Sequence, residues 1–332
     1  MEKQKVVLDK IRVTPLAAES FGVRSMCTLV ETPDLSVLLD AGISLASYRF
    51  NLPPHPFEYQ TIAKLRKTIA QAAQKAQITT ISHYHFDHHT PSFEDWVVNW
   101  TKRNETARQI YQDKIVLAKN PKENINPSQR QRAWMFQQTG GKHAKQVEPA
   151  DGKTFNFGST SLLFSEAVSH GSEGSMTGWV VMVTVEYNGE RFMFAPDVQG
   201  PTSAHTAELI LESKPSMIMI GGPPLYLGGF RVDMTQLQKG LENLMRIVDA
   251  VPLVILDHHA LRDAEWRPKM ELVFEEAQKA GTTLLTAAEY SCRENNFLES
   301  KRTQLFRDYP PSEEFKQWMK TLKNKKIAMP TI

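Results

Sequence analysis

Residues 81–91 read ISHYHFDHHTP. Four histidines and one aspartate fall within positions 83 to 89, in a chain of 332 residues that has ten histidines. His83, His85, Asp87 and His88 spell HxHxDH. Neutral imidazole and carboxylate are ligands for zinc, iron and manganese. ITTIS, residues 78–82, is a short apolar run that reads as a buried strand, and it delivers the cluster onto a loop closed by Thr90-Pro91. On such a loop alternate side chains can converge from one side. So many imidazoles would make a poor core and a strained surface unless a cation organised them. A solvated polar loop or a tag-like histidine run is the competing reading, but tags do not sit mid-chain between a strand and a turn. His89 is taken as an ordinary neighbour, because adjacent side chains point apart.

The rest of the chain sets few limits. Hydrophobic residues make up 41% and charged residues 23%, an ordinary globular balance, and the net charge of +2 names no partner. The length allows one large domain or two ordinary ones, and it is read as a single domain over 1–332. Cys27 and Cys292 form no CxxC pair and are expected to be reduced and buried. No 18-residue apolar run is present, and MEKQKVVLDK lacks a hydrophobic signal core. The expectation is a soluble cytoplasmic protein with no membrane partner. No internal repeat or low-complexity segment is visible.

Working outward from the cluster, VVLDKIRV, VRSMCTLVE and LSVLLDAG read as strands, and 57–77 as a helix. Residues 91–147 read as a mostly helical insertion around one strand, KIVLAK. TFNFG, TSLLFSEAV, GWVVMVTVEY and RFMFAP are strands. SMIMIGG, PLVILD and TTLLT then alternate with helices, and 296–332 form a charged helical tail. Strands followed by strand–helix alternation suit two packed sheets covered by helices.

Three further candidates each follow a strand: His170 after LLFSEAVS, Asp197 after RFMFAP, and His258 with His259 after PLVILD. Each alone is more often structural. Together they suggest loops converging on one sheet edge. Asp40 ends LSVLLD in the same way and suits a carboxylate that orients a ligand histidine.

The order Asp40, His83-x-His85-x-Asp87-His88, His170, Asp197, His258 resembles the metallo-β-lactamase superfamily. ESFGVRSMC, SHYHFDHHTP, INPSQRQRA, DVQGP, GGPPLYL and DHHALRD further resemble a largely archaeal uncharacterised family, number 0282, of predicted metal-dependent hydrolases. The resemblance implies a four-layer αββα sandwich of the α/β (α+β) class, with a helical insertion and a metal pair between the sheets. It assigns one ion to His83, His85 and His170 and another to Asp87, His88 and His258, with Asp197 bridging. His258, the first residue past its strand, is preferred, and His259 is its rival. The ions expected are two divalent metals, zinc first, with manganese or iron as alternatives.

That implies a hydrolase in which two cations acidify a shared water to hydroxide at neutral pH. Asp87 would orient the nucleophile or shuttle its proton. His259, Tyr226 and Arg262 are candidates to protonate the leaving group or brace the substrate, with His259 taken as catalytic beside Asp87. Residues 99–147 hold ten Lys/Arg against three acids, with Trp100, Tyr111, Trp134 and Phe136 interleaved. A basic, aromatic overhang favours an anionic small-molecule or nucleic-acid substrate, a phosphodiester above all. The competing view is solvated helix faces with aromatics turned into the core. GGPPLYLGG lacks phosphate-cradle spacing and reads as a sharp loop lining the cleft.

The ligand set suits a carboxylic ester, lactone or thioester hydrolase as well. A diiron redox enzyme on the same fold is a further alternative, although His85 stands where the diiron reductases place glutamate. Asp257-His258-His259 also matches a manganese phosphoesterase motif, but that needs paired aspartates upstream. A binding protein that had lost its chemistry would be expected to have lost ligands. The sequence leaves the oligomeric state open.

Overall fold

The fold is a four-layer αββα sandwich, seen in a computed structural model that describes residues 8–174 and 176–321. The first sheet comprises β1 (Arg12–Pro15), β2 (Thr28–Glu31), β3 (Ser36–Leu39), β4 (Ile78–Ile81), β5 (Ile115–Ala118) and β6 (Gln146–Pro149), in that spatial order. β1, β2 and β3 are antiparallel; β3 to β6 are parallel. α1 (Pro56–Lys75), α2 (Arg103–Tyr111) and α3 (Pro127–Gln138) connect the parallel strands.

The second sheet uses β7 (Thr154–Phe157), β8 (Thr160–Phe164), β11 (Val183–Tyr187), β12 (Glu190–Ala195), β13 (Met217–Gly221), β14 (Leu253–Asp257) and β15 (Thr283–Leu285). A short ladder of β9 (Val168–Ser169) and β10 (Trp179–Val180) lies outside it. Strands β7, β8, β11 and β12 are antiparallel, and β12 to β15 are parallel. α4 (Ala204–Ser213), α5 (Met234–Ala250), α6 (Trp266–Lys269), α7 (Glu271–Ala280) and α8 (Ala287–Tyr290) follow, then α9 (Arg302–Asp308) and α10 (Glu313–Thr321).

The period-two alternation of the second sheet makes the layering visible. Phe192, Phe194, Met217, Met219 and Ile255 join a core shared with the first sheet. Their neighbours Met193, Ala195, Ile218, Ile220 and Val254 join a second core with Ile210 of α4, Leu244 and Ile247 of α5, and Val273 of α7. The buried runs of these strands, 192–195, 217–220 and 253–256, are apolar at every position because both faces are covered. α1 starts at a capping box between His55 and Glu58 with Pro56 at its first position, and it turns Tyr59, Ile62, Leu65 and Ile69 inward at helical spacing.

Several expectations change. KIVLAK contains β5, an interior strand of the first sheet, so 91–147 is woven into that sheet by parallel pairing on both sides. Of the basic residues counted there, Lys119 is fully buried on Asp151 at 2.6 Å, and Lys114 is buried on the Ala76 carbonyl at 2.7 Å. Tyr111 and Phe136 are core residues, while Trp134 is exposed. The tail is not simply solvated. Arg302 is fully buried in a two-pronged pair with Glu58 at 2.7 and 2.8 Å, and Phe315 and Trp318 pack on Tyr59. Residues 322–332 of that tail, and 6–7 of VVLDKIRV, lie outside the described residues. Cys27 is buried as expected, but Cys292 is exposed, on a turn with φ of 54° just past α8. Among the described residues no helix is long and apolar enough to cross a membrane.

Candidate metal centre

Every candidate ligand lies just beyond the carboxyl end of a strand. Asp40 follows β3, His83 to His88 follow β4, His170 follows β9, Asp197 follows β12 by one proline, and His258 follows β14. In open α/β sheets this is the edge where loops can gather without breaking ladder hydrogen bonds. The residues assemble around Asp197, which is 2% exposed. Its Oδ2 lies 3.0 Å from His170 Nε2 and 3.3 Å from the Nε2 atoms of His83 and His88. Its Oδ1 lies 3.0 Å from His258 Nε2 and 3.2 Å from His259 Nε2.

Two ligand groups share this carboxylate or its neighbours. His83, His85, His170 and Asp197 form one, and Asp87, His88 and His258 form another, the ligand atoms of each lying within 4.8 Å of one another. His258 Nε2 is 3.6 Å from Asp87 Oδ2 and 3.4 Å from His88 Nε2. His259 forms a third group with His258 and Asp197, so both members of the histidine pair reach the cluster. His89 stands apart: its Nδ1 meets the His85 carbonyl at 3.0 Å and its ring packs among Tyr84, Phe86 and Phe136.

The supporting shell is dense. Asp40 is fully buried and its Oδ2 receives His88 Nδ1 at 2.8 Å, fixing that ring with Nε2 toward Asp197. Asp40 also accepts the Ser82 amide at 2.8 Å and the Ser82 hydroxyl, whose oxygen in turn lies 3.0 Å from His83 Nδ1. Asp257, the first letter of DHH, faces away from the cluster and accepts the amides of His258, Ser20 and Ala287. It holds the turn that gives His258 its φ of 68°. Tyr226, from GGPPLYLGG, puts its hydroxyl 3.3 Å from His259 Nδ1 and stacks on that ring.

Sequence reasoning missed three residues here. Glu19 is buried and grips Arg262 at 2.9 Å, its Oε2 lying 3.7 Å from His258 Nδ1. Ser82 links Asp40 to His83, and Gln199 Nε2 lies 3.4 Å from His170 Nδ1. Position in ESFGVRSMC, SHYHFDHHTP and DVQGP was the available signal; residue type was not.

Burial lowers the pKa of His85 to about 3, of His259 to about 3 and of His258 to about 4, and it lowers His83 as well. These rings are neutral at pH 7, the state that ligates metal. Burial would raise the pKa values of Asp197 and Asp87, but the surrounding histidines outweigh it and keep both ionised. Burial would likewise lower that of His88, yet Asp197, Asp40 and Asp87 raise it well above the ordinary value. Asp197 Oδ1 is buried without a hydrogen-bond partner, although two imidazole nitrogens stand close to it. A buried carboxylate oxygen with one lone pair unspent, ringed by neutral imidazoles, fits a divalent cation, and the proton on His88 holds the charge that such a cation would replace.

No family model matches the chain. It is 42% identical over 295 residues to the UPF0282 protein of Methanopyrus kandleri, covering 89% of this chain and 99% of that protein. It is 38% identical over 310 residues to the UPF0282 protein of Korarchaeum cryptofilum, covering 93% and 99%. Among solved structures it is similar to CmlA, a diiron beta-hydroxylase from Streptomyces venezuelae, at 14% identity and a TM-score of 0.49, over 84% of this chain and 52% of that one. It is also similar to unliganded yeast PDE1, at 12% identity and a TM-score of 0.48, over 84% and 98%.

Proposed function

The chain belongs to the UPF0282 family, and on that premise we propose that it is a metal-dependent hydrolase acting on a phosphodiester or another anionic phosphate ester. The observation that carries the proposal is Asp197, whose two oxygens face two different sets of imidazoles from the centre of a buried cluster. His83, His85, His170 and Asp197 would hold one divalent ion, zinc, manganese or iron. Asp87, His88, His258 and Asp197 would hold the second. When bound, such ions supply Lewis-acid stabilisation of developing oxyanions and lower the pKa of water in the site.

The protein's own groups supply the rest. Asp40 and Ser82 hold His88 and His83 in orientation. Asp87 is 17% exposed where Asp197 is 2%, so its carboxylate is the one that solvent and substrate can reach, and it accepts the proton of the attacking water. His259, neutral at pH 7, gives its Nε2 proton to the leaving oxygen as the Tyr226 hydroxyl passes one to Nδ1. Arg132, from the basic segment, lies over the Phe86 ring at 4.8 Å and contacts the Tyr84 carbonyl at 3.5 Å, both in the histidine loop. It favours a substrate with negative charge beside that loop.

The test is metal content of the purified protein together with hydrolysis of bis(p-nitrophenyl) phosphate across zinc, manganese and iron loadings. About two ions per chain, with turnover lost in Asp197→Ala, is the expected result. Ions without phosphodiester turnover would retain the metal centre and reject the substrate. Absence of any bound ion would reject the proposal as a whole.

A further inference from the structure

Arg262 is 3% exposed and lies against the second set of candidate ligands. Its Nη2 is 3.2 Å from Nε2 and 3.3 Å from Nδ1 of His258, so the guanidinium spans the imidazole rather than meeting one ring atom. The same Nη2 is 3.6 Å from Asp87 Oδ2, and Nη1 is 3.3 Å from His259 Nδ1. Glu19 holds the group in place through Nε at 2.9 Å. Among the described residues, no hydrogen bond or ion pair joins Arg262 to His83 or His85.

We infer that Arg262 sets the affinity of the Asp87–His88–His258 position for its cation, with Glu19 as the counterweight. The inference rests on the reading of the two sets as cation positions. A fixed guanidinium a few ångströms from Asp87 and His258 spends part of the attraction that Asp87 would offer an ion, and it repels the ion directly. It also keeps Asp87 and His258 assembled when no ion is there. Glu19 reduces the repulsion by accepting Arg262 Nε, its Oε2 standing 3.7 Å from His258 Nδ1 as well. The second position is thereby kept exchangeable, while the His83–His85–His170 position is untouched by this pair.

The signs of the two substitutions are opposite, which makes the inference testable without any substrate. Metal-free full-length protein is titrated with Zn2+ by calorimetry, and with Co2+ by absorption spectroscopy. Asp87→Asn and His85→Ala, each deleting one step, assign the steps. Arg262→Gln is expected to tighten the Asp87-dependent step roughly tenfold, equal to about 1.4 kcal/mol, and Glu19→Gln to weaken it by a similar factor. The His85-dependent step stays within roughly threefold, well inside that tenfold. Removing one partner of a buried pair can unfold a protein. The double variant Glu19→Gln/Arg262→Gln removes both charges, and it is expected to bind at the Asp87-dependent step more tightly than Glu19→Gln alone. A double variant that binds at the Asp87-dependent step no more tightly than Glu19→Gln alone overturns the inference and leaves the hydrolase reading standing. Absence of any Zn2+ or Co2+ binding in the wild type overturns both.

Discussion

Gly42 lies directly on the backbone of His88: a Cβ at position 42 would stand 2.3 Å from the amide nitrogen of His88 and 2.3 Å from that of His89. Gly42 follows Asp40 at the end of β3, so the same short segment supplies the carboxylate that orients His88 and the gap into which the histidine loop settles. Thr90 locks the loop from the other end: its hydroxyl donates to the Ala41 carbonyl and accepts from Arg66, and its amide donates to the Tyr111 hydroxyl.

Gly42→Ala therefore has no flexible side chain to push aside; backbone must move. The expected cost is about 1–3 kcal/mol of stability, with loss of bound metal out of proportion to the loss of helix signal. Thermal unfolding followed by circular dichroism, paired with metal analysis, checks this. An alanine variant with wild-type stability and metal content would show that the loop is held elsewhere.

Asp40→Asn keeps the shape of the side chain and removes the charge behind His88 Nδ1. Metal affinity is expected to fall about 10- to 100-fold. The fold is retained, because the carboxamide oxygen of the variant would still accept the Ser82 amide. Chelator competition on wild type and variant measures it, and equal affinities would remove Asp40 from the metal centre's support.

His259→Ala separates proton transfer from metal binding. If His259 delivers a proton, turnover of a diester with an alkoxide leaving group falls about 10²-fold or more while two ions remain bound. Tyr226→Phe, which removes only the hydroxyl facing Nδ1, has a smaller effect on the same rate. A substrate whose leaving group needs no protonation is expected to be nearly insensitive to both. Loss of an ion in His259→Ala would instead make it a ligand.

Acid sensitivity follows from Glu299, bonded to Arg24 through both oxygens at 2.6 Å. Burial would raise its pKa, but the Arg24 guanidinium outweighs burial and holds the carboxyl below its ordinary value of 4.5. A depressed folded-state pKa contributes stability that is present above the unfolded value and lost as pH falls below it. Metal-free wild type should lose stability as pH falls from about 4.5 to about 2, between the unfolded and folded values of this carboxyl, and Glu299→Gln should show a flatter profile there. Urea midpoints at the two pH values measure the difference, and parallel profiles would mean that Glu299 contributes none of the acid limb.

The sequence by itself determined what depends on local order. HxHxDH is local, and so is the placement of Asp40, Asp197 and His258 at strand ends. The apolar runs of β13 and β14 were legible because strands buried on both faces leave no polar position. Tertiary structure decided what depends on which strands become neighbours. His88 and His258 are 170 residues apart, and they face each other only because β4 and β14 end at the same edge of two packed sheets. Those sheets follow one plan, antiparallel strands leading into parallel ones, without an internal repeat in the sequence. The same holds for charge. Lys119, Arg302 and Glu19 read as ordinary surface residues in the sequence and Arg262 as a substrate-bracing candidate, yet each is buried against an opposite charge supplied from a distant segment. Residue type fixes how much burying a charge costs, but the neighbour that offsets this cost is set by the packing of the whole chain.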